Sequence, residues 1–139
     1  MNFFLDTSIC VDVLRTNGPE KSLELFESFS EDRNIGIISV ITVAELGTGA
    51  ELSARKDAMK KTEELLAYVR IVELDENVAM AGGKMYAKLS DAGRKIEFND
   101  CLIAATAQSL GMNTIVTRNC DHFNRIEGCT AVVPEKLDF

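Results

Sequence analysis

The stretch FFLDTS, Phe3 to Ser8, runs three apolar residues directly into an acid and two hydroxyl-bearing residues. A short apolar run of this kind reads as a buried strand, Asn2 to Leu5, with Asp6 just past its end. Comparable runs recur along the chain and are separated by helical patterns. Ile35 to Ile38 reads as a second strand, Arg70 to Leu74 as a third, Thr114 to Thr117 as a fourth and Thr130 to Val133 as a fifth. Such alternation is expected of an α/β fold, a mainly parallel sheet covered by helices. Between the strands, the spacing predicts helices over Pro19 to Phe29, Thr42 to Leu52, Lys56 to Tyr68, Glu76 to Leu89 and Asp100 to Leu110. Pro19 suits a first turn, Asn99 can cap the helix that opens at Asp100, and Gly111 can close it. Ser90 to Phe98, containing Gly93, Arg94 and Lys95, reads as a loop.

The chain has 139 residues, of which 46% are hydrophobic, enough for one domain, residues 1–139, with a core that needs no disulfide. No repeat, Pro-rich linker or low-complexity tract divides it. The Gly82, Gly83, Lys84 run lacks the first glycine and the spacing of a phosphate loop and falls in mid-helix, so it reads as close helix packing. Cys10, Cys101, Cys120 and Cys129 form no CxxC pair and read as reduced thiols. With no apolar run approaching about 20 residues and no signal-peptide pattern, the expected location is cytoplasmic, away from any membrane. A net charge of −7 argues against holding nucleic acid by bulk attraction to phosphate, unless a metal reverses the charge locally or the cations gather on one face.

Topology converts chain position into a spatial expectation. In open parallel sheets, ligands bind beyond the carboxyl ends of the strands. Asp6 follows the first strand, and Glu45 lies early in the helix after the second. Asp100 opens the helix before the fourth strand, and Asn119 and Asp121 follow that strand. All belong at one rim. Carboxylates gathered there repel one another unless a cation neutralises them, and oxygen ligands favour Mg²⁺ or Mn²⁺. Such an ion can activate water and stabilise charge on a phosphodiester oxygen, which is hydrolysis chemistry. A paired-histidine mechanism is excluded because His122 is the only histidine, and a lone His is more often a surface or packing residue.

Each acid also has a structural explanation. Asp6 can cap the following helix through Thr7 and Ser8. Thr42 and Glu45 stand three apart, the spacing of a capping box. Asp100 is favoured in a first turn by the helix dipole, and Asp121 suits a turn. Their joint placement is what favours a site.

At these residues the chain resembles the PIN-domain family, and in particular VapC-type toxins of toxin–antitoxin pairs. The matching pieces are FFLDTS, ISVITVAELGTGA, FNDCLIAATAQSLG and IVTRNCDHFNRI, in order and nearly end to end. The resemblance implies a three-layer α/β/α fold and a Mg²⁺- or Mn²⁺-dependent endoribonuclease. It also implies a homodimer acting on RNA and neutralised by an antitoxin protein, whose Arg or Lys can enter the acidic site. Asp6, Glu45 and Asp100 match the family's metal-binding acids, with Thr7 and Thr117 as polar supports. Where many members carry a further acid, this chain has Asn119, and Asp121 is the candidate to replace it as a metal-binding and catalytic residue. Thr7, Thr117, Arg118 and Asn119 are the candidates for contact with substrate. Arg94, Lys95, Arg118 and Arg125 fall in segments expected near the rim, where they can meet phosphate or form a solvated face. Two alternatives stay open: a haloacid-dehalogenase-like phosphatase, disfavoured because Ser8 replaces that family's second Asp, and a non-catalytic PIN-like binding module.

Overall fold

The computed structural model describes all residues, 1–139. Five strands form one sheet: β1 (Asn2–Leu5), β2 (Ile35–Ser39), β3 (Val69–Val72), β4 (Thr114–Val116) and β5 (Thr130–Val132). Every pairing is parallel, and the spatial order is β3-β2-β1-β4-β5. The helices are α1 (Thr7–Leu14), α2 (Glu20–Ser30), α3 (Val40–Leu52), α4 (Ala58–Leu66), α5 (Glu76–Asp91), α6 (Phe98–Ser109) and the short α7 (Cys120–Phe123), followed by a 3₁₀ turn at Pro134–Lys136.

Strand side chains point alternately to opposite faces, so each strand feeds two cores. Phe3, Leu5, Ile38 and Val116 pack with Ile9, Leu25, Phe26, Phe29, Leu46 and Leu65 of the first four helices. Phe4, Ile37 and Ile115 pack on the opposite face with Leu89, Ile103, Ala104, Ala107 and Phe123 of the last three. The result is the expected helix–sheet–helix sandwich. No helix is long and apolar enough to cross a membrane.

From β1 the chain works outward through β2 to β3, then returns across the sheet to β4 beside β1. The direction of winding therefore reverses between β1 and β4, and a crevice opens where their connections diverge. Asp6 and Thr117 immediately follow those two strands.

Several boundaries differ from the expectations. Strand β3 starts one residue earlier and stops at Val72, because its partner β2 ends at Ser39, opposite Val72. Thr117 lies beyond β4. Helix α3 starts at Val40, two residues earlier, because Ser39 caps it by accepting from the Ile41 amide at 3.1 Å. Helix α4 starts at Ala58, and Pro19 stands at the cap of α2. Helix α6 begins at Phe98 after Glu97, which places Asn99 inside the helix instead of at its cap. Helix α5 continues to Asp91, shortening the expected loop, which turns at Gly93 with φ +68. Gly111, at φ +71, ends α6 as expected: its amide reaches Gln108 O and that of Met112 reaches Ala107 O.

Helix α6 is buried at every position from Asp100 to Ala107, as a helix enclosed by sheet and helices requires. Close approach to α5 makes this possible. A Cβ on Gly82 would lie 2.7 Å from Leu102 Cδ2 and 3.3 Å from Leu102 Cα, whereas one on Gly83 would meet nothing within 4 Å. Opposite effects should follow from neighbouring substitutions: Gly83→Ala is expected to stabilise by about 0.5–1 kcal/mol through helix propensity. Gly82→Val is expected to destabilise by about 1–3 kcal/mol through overpacking, both read by urea unfolding.

Candidate active site at the switch point

Asp6 is 2% exposed, and its two carboxylate oxygens have different surroundings. Oδ2 accepts from Ser8 Oγ at 2.7 Å and Thr117 Oγ1 at 2.8 Å, with a longer contact from the Ser8 amide at 3.4 Å that caps α1. These donors are themselves held, since the Arg118 amide donates to Ser8 Oγ at 3.0 Å and the Asn119 amide to Thr117 Oγ1 at 2.9 Å. Oδ1 receives none of these bonds. The capping explanation for Asp6 thus accounts for one oxygen, Oδ2, and not for the other.

Glu45 projects from the second turn of α3. The capping-box explanation fails for it, because Ser39 is the cap and Thr42 lies buried inside the helix. Thr7 Oγ1 instead lies 2.8 Å from Glu45 Oε1 and 2.9 Å from Thr42 Oγ1. Thr7 Oγ1 is the donor toward both, and its single proton is shared between the Glu45 carboxylate and the Thr42 hydroxyl.

Asp100, 9% exposed, stands in the first turn of α6. Burial, the charge of Asp6 and the charge of Glu45 push its pKa from 3.8 to about 6, and His122 pulls it the other way. All three acids therefore feel one field. Like charges held in a partly dry crevice make a place for a cation. They do not form a closed cage, because no group of three or more His, Cys, Asp or Glu side chains converges closely enough to hold an ion unaided. An all-oxygen, incomplete ligand set suits a hard ion that keeps much of its water, such as Mg²⁺ or Mn²⁺, more than zinc.

The remaining candidates are placed differently. Asp121 is 83% exposed on its side chain and pairs with Arg125 at 2.8 Å on the outside of α7. Asn119 is exposed, and its side chain makes no cap hydrogen bond. Arg118 faces inward: Nε donates to Asp12 Oδ2 at 2.7 Å, one terminal nitrogen to Glu135 at 2.6 Å and the other to Ser22 Oγ at 2.9 Å. With all three nitrogens engaged, it braces α1, α2 and the 3₁₀ turn.

Two residues gain importance that the sequence did not reveal. Ser8 was legible only as a capping residue, yet it clamps Asp6. His122, expected to be packing or surface, places a buried Nδ1 with no hydrogen-bond partner 3.6 Å from Asp100 Oδ2. That distance exceeds a hydrogen bond. Nothing in its sequence neighbourhood signals this, because the contact depends on how α7 meets α6.

A five-stranded parallel α/β sandwich with acids at the switch point of its sheet defines a class of fold that known relatives narrow further. The family model described as PIN domain matches residues 3–128. Ribonuclease VapC2 of Haemophilus influenzae is 32% identical over 127 residues, spanning 91% of this chain and 92% of that protein. The tRNA(fMet)-specific endonuclease VapC of Salmonella typhimurium is 32% identical over 129 residues, 92% of this chain and 94% of that protein. Among solved structures, DNA-bound VapBC from Salmonella typhimurium superposes with a TM-score of 0.82 at 31% identity, covering 96% of this chain and 98% of that one. VapBC2 of Rickettsia felis, bound to a promoter DNA fragment, gives a TM-score of 0.81 at 28% identity and the same coverage. This chain belongs to the PIN-domain family, which rules against the phosphatase alternative.

The raised Asp100 pKa makes a prediction for metal-free protein. Between pH about 4 and 6 the folded state retains a proton that the unfolded chain has released, so stability falls as pH rises through that window. Asp100→Asn should remove this dependence and stabilise the metal-free fold at pH 8, on the order of 2 kcal/mol. Thermal unfolding in EDTA across pH measures both effects.

Proposed function

We propose that this chain is an endoribonuclease, the toxin of a toxin–antitoxin pair, which hydrolyses RNA phosphodiester bonds using Mg²⁺ or Mn²⁺ held by Asp6, Asp100 and Glu45. The observation that carries the reading is the shared field of the three acids, in which Asp6 and Glu45 both raise the pKa of buried Asp100. Its support from relatives is consistent: those at about 32% identity are named as ribonucleases, and one as an endonuclease acting on tRNA(fMet).

A bound divalent ion supplies Lewis-acid stabilisation of phosphoryl charge and lowers the pKa of coordinated water. The chain's own residues prepare for it. Ser8 and Thr117 hold Asp6 by Oδ2, Thr7 holds Glu45 by Oε1, and a bound cation would favour the ionised form of Asp100 that burial and the neighbouring acids oppose. Asn119, exposed and hydrogen-bonded through its backbone amide to Thr117, is a neutral group whose side chain can donate to an RNA oxygen. Asp121 is left outside the ligand set because its carboxylate faces solvent and pairs with Arg125. Neutralisation follows from the same electrostatics, since an antitoxin that inserts an Arg or Lys among the acids supplies the missing positive charge. A homodimer is the assembly that the family resemblance implies.

Purified protein should cut single-stranded RNA only with Mg²⁺ or Mn²⁺ and stop in EDTA. Asp6→Asn and Asp100→Asn should each lower the rate by at least about a hundredfold, and Thr117→Val by about ten- to a hundredfold through the loosened Asp6. Cleavage that persists in EDTA, or that both Asn variants retain, would refute the assignment. Divalent-ion binding without any cleavage would favour a non-catalytic PIN-like module.

A further inference from the structure

Beside the acids lies a second feature with a different character. A recess of about 410 Å³ is lined by Tyr86, Lys95, Ile96, Glu97, Phe98 and His122. Phe98 is an apolar ring 47% exposed to solvent, two residues before Asp100 on the same helix. Its edge meets Tyr86 in a T-shaped contact at 5.3 Å, and the Lys95 ammonium stands 5.6 Å from the centre of the Tyr86 ring. His122 joins the recess to the acids, since its Nδ1 faces Asp100.

The recess also adjoins a cluster of cations. A groove of about 590 Å³ carries Lys84, Lys88, Arg94 and Arg125, and Arg125 donates to the Lys95 carbonyl at 3.3 Å. Lys88 and Arg125 are paired with Glu127 and Asp121, whereas Lys84 and Arg94 make no ion pair. In a chain of net charge −7, this groove answers how a polyanion can be held beside an acidic crevice.

We propose that the Phe98–Tyr86 recess is a nucleobase subsite: one unstacked base of single-stranded RNA lies on the exposed face of Phe98, with the adjoining phosphates over Lys95 and the cationic groove. This deepens the ribonuclease reading and rests on it. Stacking is the means by which proteins capture single-stranded bases, and an aromatic ring next to cations and next to the cleavage acids has the composition that such capture requires. Glu97, which lines the recess with Lys95, disfavours a phosphate deep within it, which assigns the aromatic face to the base and Lys95 with the adjoining groove to the backbone.

The test uses end-labelled single-stranded RNA oligomers, intact or with one base removed at successive positions, cleaved by wild type, Phe98→Leu and Phe98→Trp. Phe98→Leu should raise KM about tenfold with kcat within about twofold, as loss of one stacked base predicts, and Phe98→Trp should restore KM. One abasic position should erase the difference between wild type and the Leu variant. The subsite is overturned if wild type cuts the oligomers and Phe98→Leu leaves KM unchanged, if Trp does not restore it, or if the deficit persists at every abasic position. Normal cleavage by Phe98→Leu with lost self-association or lost antitoxin binding would assign the ring to a protein contact instead and would likewise overturn it. Failure of wild type to cut any RNA would sink the ribonuclease reading itself, a separate result. Because Phe98 is exposed, unchanged thermal unfolding of both variants separates a binding defect from a folding one.

Discussion

The clamp on Asp6 joins the two ends of the chain. Its Oδ2 receives a hydroxyl from Ser8, two residues away, and another from Thr117, 111 residues away, while its backbone amide bonds to Val116 O at 2.9 Å. That geometry exists only because β1 and β4 are adjacent and parallel, with Leu5 opposite Val116. Neutral hydroxyls hold the carboxylate without cancelling its charge, so the crevice keeps an unneutralised acid in place. A lysine in the same position would hold it as firmly and abolish its use for a cation.

Arg118 shows the other side of this economy of charge. It sits next to Thr117, yet its guanidinium turns inward to Asp12, which is buried on α1, and to Ser22 on α2 and Glu135 in the 3₁₀ turn. A buried ion pair is weak evidence for stability, since desolvation offsets much of its attraction. Its geometric effect is clearer: it ties three segments to the residue between Thr117 and Asn119, both of which border the crevice. The cation beside Thr117 is therefore spent on structure and leaves the acids unneutralised.

Charge is sorted between two regions of the rim. Asp6, Glu45 and Asp100 share the crevice over β1 and β4, whereas Lys84, Lys88, Arg94, Lys95 and Arg125 gather between α5 and α7. The overall charge of −7 thus conceals a local separation of acids from cations. His122 and Phe98 stand at the boundary between the two.

The sequence alone was enough for the alternation of strands and helices, because apolar periodicity is set by which faces must be buried, and it placed Asp6, Glu45 and Asp100 at one rim because strand ends in a parallel sheet share an edge. It also read the Gly82, Gly83, Lys84 run as close helix packing, which holds for Gly82 but not Gly83, and Gly111 as a helix stop. Other features depended on tertiary contacts. The start of α3 at Val40 follows from Ser39 capping it, and the end of β3 follows from where its partner stops. The inward turn of Arg118, the double hydroxyl clamp on Asp6, the outward position of Asp121 and the approach of His122 to Asp100 were not legible. Each depends on the orientation of a side chain relative to elements distant in sequence, and a one-dimensional pattern records which residues are buried but not which neighbour they meet.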